Sequence, residues 1–135
     1  MKPIDYLKAL GVATAVLVLN LLITTVAITI YALAIEPGHP QAYYTAMAPR
    51  IGAWSGPSGG AVLMFAAGFL LARRRPERNG LMFIAVAWVF YLALDAGLGL
   101  AAAPASAIFT PAFALSLGGA LAAGLVGAGL ALRRR

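Results

Sequence analysis

Four long runs of apolar residues, separated by short polar breaks, organise this chain. They extend from about Ala9 to Ile35, Trp54 to Ala72, Leu81 to Ala103 and Pro111 to Leu132. A helix crossing a hydrocarbon core of roughly 30 Å needs about 20 residues. Each run therefore predicts a transmembrane helix, and the four together predict one all-α domain, a four-helix membrane bundle. The first run is longer than a span requires and is expected to tilt or to project beyond the bilayer. Its Ala32-Leu33-Ala34 segment has the small-x-small form of a cleavage site, but the run is about twice the length of a signal-peptide core. A retained span is expected.

The breaks have their own chemistry. Glu36-Pro37-Gly38-His39-Pro40 cannot continue a helix. Residues 36–53 predict an outer loop in which Gln41 to Ala48 forms a short interfacial helix, ended by Pro49. Tyr43, Tyr44 and Met47 would lie at headgroup level. The second span opens on Trp54-Ser55-Gly56-Pro57-Ser58-Gly59-Gly60. Counted from Pro57, only about 16 residues or roughly 24 Å remain. Either the helix begins earlier, or irregular backbone enters the membrane under a cover of protein or water. Arg73-Arg74-Arg75-Pro76-Glu77-Arg78-Asn79-Gly80 reads as a tight polar turn.

Charge gives an orientation. Lys2, Lys8, Arg73, Arg74, Arg75, Arg78, Arg133, Arg134 and Arg135 all fall on one side of the expected membrane, and Arg50 alone falls on the other. The positive-inside rule makes the crowded side cytoplasmic, with both termini there, as in a bacterial-type inner membrane. The same residues can meet anionic lipid headgroups. The net charge of +6 does not point to nucleic acid, because no soluble basic face remains once the helices are assigned.

Composition narrows the function classes. Only 10% of the residues are charged, against about 25% in soluble domains. So little charge cannot cover a water-soluble surface. The chain has no cysteine and one histidine, His39, which excludes disulfides, thiolate metal sites and bis-histidine haem ligation within the chain. No cofactor, metal site or catalytic constellation is expected. Glu36 and His39 flank a turn and read as solvated.

The fourth run is rich in small residues at helical spacing. Ser116, Ala120, Gly124 and Ala128 form one ridge, and Gly119, Ala123, Gly127 and Ala131 form the next. Such ridges let helix backbones approach closely, and van der Waals packing drives association in lipid. Two destinations are open, another helix of the same chain or a seam to a second copy or a partner.

Asp95 is the only acid inside a predicted span. It lies about 14 residues, or roughly 20 Å, beyond Leu81. An embedded carboxyl is costly, so it must pair, take up a proton or contact water. Tyr91 precedes it by one turn, with Trp88 on the same face. Asn20 and Thr24 on the first span reach a similar depth, as does the glycine-rich start of the second, where a helix N-terminus would present free N–H groups. Asp95, Tyr91, Asn20, Thr24, Ser55, Ser58 and Arg50 are thus expected to surround an outward-opening pocket for a small solute or ion. This requires the first three spans to be mutual neighbours. The other reading is a structural or accessory membrane protein that packs through its fourth span, with Asp95 a buried structural acid.

Overall fold

The computed structural model describes residues 2–74 and 79–133, and every regular element among them is helical. Helix α1 spans Pro3–Ile30 and passes into a π-helical turn at Tyr31–Ile35. Helix α2 spans Gln41–Arg74, α3 spans Gly80–Ala102, a single turn α4 spans Ala105–Ile108, and α5 spans Pro111–Arg133. Four of these segments are long and apolar enough to cross a membrane: Pro3–Ile35, Gln41–Arg74, Gly80–Ala102 and Pro111–Arg133. Their outer faces carry large apolar side chains in the open, among them Leu22, Val62 and Leu115. That is the surface lipid would cover, and the chain is built as an integral membrane protein. The expected turn residues Arg75, Pro76, Glu77 and Arg78, and the terminal Arg134 and Arg135, lie outside the described residues.

Helix α1 begins six residues earlier than the apolar run. Pro3 stands at its first position, where a missing N–H costs nothing, and the Asp5 carboxylate accepts the Lys2 backbone N–H at 2.9 Å. Asn79 caps α3 by accepting the Met82 N–H at 3.1 Å, and the Thr110 hydroxyl accepts the Phe113 N–H at 3.2 Å at the start of α5.

The separate interfacial helix ending at Pro49 is not formed. Residues 41–74 are one continuous helix through both Pro49 and Pro57. Each proline removes one helical hydrogen bond and would ordinarily kink or break a soluble helix. Gly56 precedes Pro57, so the clash of a proline ring with the preceding Cβ is absent. Packing against neighbouring helices sustains prolines in such helices. A consequence is that no helix N-terminus, and no set of free N–H groups, lies near Gly59.

The turn between α1 and α2 is folded rather than loose. Gly38 adopts φ +90°, a conformation that favours glycine. The Tyr44 hydroxyl donates to the Glu36 carbonyl at 2.7 Å and accepts the His39 N–H at 3.1 Å. The Tyr43 hydroxyl donates to the Glu36 carboxylate, and the His39 ring stacks on Tyr43 with centroids 4.2 Å apart. The hydrogen bond from Tyr43 holds the Glu36 carboxyl below the ordinary carboxylate range, with Tyr31 and the nearby His39 acting in the same direction.

Helices α1 and α5 each pack on both α2 and α3, and α2 also touches α3. Met64 and Ile84 are the largest fully buried side chains, at the centre of a core that includes Ala13, Ala87 and Ala128. The tightest seam joins α2 and α5. A Cβ on Gly68 would overlap the Gly124 carbonyl, and one on Gly127 would overlap the Phe65 carbonyl. Ala120, Gly124, Gly127, Ala128 and Ala131 are buried, and Ser116 and Ala123 are half-buried. The two ridges therefore form one face, largely consumed within the chain. Gly119 alone among their members is exposed, with open space where a side chain would stand. Trp88 ties α3 to α5, its indole N–H donating to the Leu117 carbonyl at 2.9 Å.

Candidate functional site

Helices α1, α2 and α3 are mutual neighbours, and they meet around Asn20. The Asn20 amide is 9% exposed and the Tyr91 ring 4%, so both sit inside the protein. Asn20 Nδ2 donates to the Tyr91 hydroxyl at 3.3 Å. The opposite end of the amide, Oδ1, is buried with no hydrogen-bond partner. Exchanging the amide oxygen and nitrogen would not repair this, because one polar end would still face Gly59. A buried polar group left without a partner costs about 1–3 kcal/mol.

Helix α2 makes room for this pair by having no side chains there. A Cβ on Gly59 would overlap Asn20 Oδ1, and one on Gly60 would come within 3.2 Å of the Tyr91 hydroxyl. Both glycines are buried. One turn further along α1, the buried Ser55 hydroxyl donates to Thr24 Oγ1 at 3.1 Å. Two polar layers thus lie one above the other, the first joining α1 to α3 and the second joining α1 to α2.

Asp95 stands one helical turn beyond Tyr91 on α3 and is half-buried. Its carboxyl forms no hydrogen bond or ion pair among the described residues. The Tyr91 hydroxyl accepts from Asn20 and gives its own proton to no described residue. The cluster therefore has an unused carboxyl, an unused phenolic proton and an unused amide end within about one turn of each other. The carboxyl and the phenolic proton, an acceptor and a donor, can hold a water, a cation or a small polar solute, whereas Asn20 Oδ1 packs against Gly59.

Two of the expected members stand apart. Ser58 is exposed, and its hydroxyl donates to the Trp54 carbonyl of its own helix at 2.7 Å. Arg50 is exposed and lies ten residues from Gly60 towards the α1–α2 turn, whereas Asp95 is only four residues from Tyr91 in the same direction. At 1.5 Å per residue, Arg50 is roughly 9 Å too far along the axis to pair with the carboxyl. Thr25 and Thr29 donate to the Leu21 and Thr25 carbonyls, each at 2.9 Å, and are spent on α1 itself. Among the described residues no group of three or more His, Asp or Glu could hold a metal ion.

Gly59 and Gly60 are the site residues that a reading of polar side chains misses. The adjacent glycine pair inside an apolar run is the available signal, but its meaning depends on which helix faces it. Comparison with known protein families, known proteins and solved structures finds no match to this chain.

Proposed function

We propose that this protein is a four-helix membrane bundle, with both termini cytoplasmic, that takes a small solute or ion from its outer side at Asp95. The observation that carries this reading is the carboxyl of Asp95, embedded in a membrane-spanning helix without a partner. An ionised carboxyl without a partner costs about 2.5–3.5 kcal/mol at the membrane centre on insertion scales, so Asp95 must take up a proton, meet water or bind a ligand, and the free phenolic proton of Tyr91 one turn away favours a ligand. A ligand supplies the missing partner. Tyr91 and Asn20 would line the inner wall of the site, and Thr24 and Ser55 its side. Binding or transport fits this set better than catalysis, which would need a second carboxylate or a nucleophile with its base at the same depth.

The orientation rests on charge. Lys2, Lys8, Arg73, Arg74 and Arg133 lie at one end of the helices and Arg50 towards the other. The natural chain has no cysteine, so single cysteines report cleanly. In intact bacteria, Ser106→Cys is expected to react with a membrane-impermeant maleimide and Asn79→Cys only after lysis. Reversed labelling would invert the topology and make the pocket open inward.

Reconstituted into liposomes, the wild-type protein is expected to show solute or ion flux that depends on pH. Asp95→Asn keeps the shape, removes the titratable charge and is expected to abolish that dependence. Unchanged pH-dependent flux in the variant would remove Asp95 from the mechanism. The competing reading, an accessory protein docking through its fourth span, has less support, because α2 already fills most of the small-residue face of α5.

A further inference from the structure

At the opposite end of the helices from Asp95, a groove of about 370 Å³ opens between α1, the end of α2 and the start of α3. Lys8, Gly11, Val12 and Ala15 form its α1 wall, at the i, i+3, i+4, i+7 spacing of one helix face. Leu71 and Phe83 close it from the other two helices. The hollow exists because α1 contributes little bulk there. A Cβ on Gly11 would meet nothing within 4 Å.

Apart from Lys8, these walls are apolar, and Lys8 is exposed at the groove. Arg74, also exposed, follows Leu71 by three residues and so lies towards the same face of α2. Asp5, the acid nearest to Lys8 along α1, is buried and accepts the Lys2 N–H. We propose that this groove holds one anionic phospholipid, its acyl chain along Gly11 and Ala15 and its phosphate on Lys8. A hydrocarbon chain matches the apolar walls. A negative headgroup matches a lysine that can extend its ammonium to the membrane boundary while its stem stays in the groove. The site is independent of Asp95.

The test is native mass spectrometry of the whole protein from nanodiscs holding equal amounts of phosphatidylglycerol and phosphatidylcholine. One retained phosphatidylglycerol per chain is expected. Lys8→Gln should lower the anionic share of retained lipid about fivefold, the effect of one cationic side chain at a membrane surface. Gly11→Leu fills open space, leaves the helices in place and should remove the bound lipid whatever its headgroup. Equal retention of the two lipids by the wild-type protein would overturn the proposal. So would wild-type retention in both variants.

Discussion

Gly127→Ala is expected to destabilise the protein by about 2–3 kcal/mol, in the upper part of the range for overpacking a close-fitted interior. The added methyl group would overlap the Phe65 carbonyl oxygen and lie 3.1 Å from its carbon and from the Phe69 nitrogen. All three atoms are backbone, so no side chain can swing away, and α2 and α5 must separate. Separation forfeits the dispersion contacts that hold helices together in lipid, where no hydrophobic effect replaces them. Opposing this, replacing glycine by alanine within a helix gains about 1 kcal/mol of intrinsic propensity. Gly118 measures that gain alone, because a Cβ there meets nothing within 4 Å. Thermal unfolding in detergent, followed by circular dichroism, should therefore show Gly127→Ala well below the wild type and Gly118→Ala at or slightly above it. Equal midpoints for the two variants would mean that α2 and α5 do not meet at Gly127.

Gly59→Ala is expected to act through Asn20. The new methyl group would take the place of Asn20 Oδ1 and push the amide off the Tyr91 hydroxyl. Loss of that interhelical hydrogen bond costs about 0.6 kcal/mol by the average for helices in membranes, with about 1.7 at the upper end. The overpacking adds about 1–3 kcal/mol. Asn20→Ala empties the space and should relieve the clash, so the two substitutions are coupled. A double-mutant cycle on unfolding free energy is expected to give at least about 1 kcal/mol of interaction between residues 20 and 59. Additive effects would show that the amide does not lie against Gly59. If the cluster is the ligand site, Gly59→Ala should also weaken solute binding, and Gly118→Ala should not.

The four spans were legible because crossing a hydrocarbon layer demands a length and a composition that few other structures share, and the apolar runs supply both. Their C-terminal limits agree closely with the helices, as at Ala103 against Ala102 and Leu132 against Arg133. The course of α2 was not legible. Proline costs about 3 kcal/mol in the interior of a water-soluble host helix, whereas Pro49 and Pro57 sit in a helix braced along much of its length by α1 and α5. At the candidate site, counting residues from the inner ends placed Thr24 level with Asp95. The Asn20–Tyr91 hydrogen bond has that same register, one turn further in. Depth can be counted along a chain, but the facing of one helix towards another cannot. For that reason Ser58, at a plausible depth, turns out to face elsewhere, while Arg50 lies too far along the axis, and the two glycines that shape the cluster carried no polar signal of their own. The small residues of α5 announced close packing without naming a partner, which proved to be the glycine face of α2 around Gly68.

We propose that Asp95 belongs to a ligand site and is not a structural acid. Native mass spectrometry of the protein released from nanodiscs, with the wild type and Asp95→Asn side by side, tests it most directly. The expected result is a bound non-lipid species on the wild-type protein that Asp95→Asn loses while its helical content stays the same. A wild-type protein carrying lipids alone, or an adduct that survives the substitution, would contradict the assignment of Asp95.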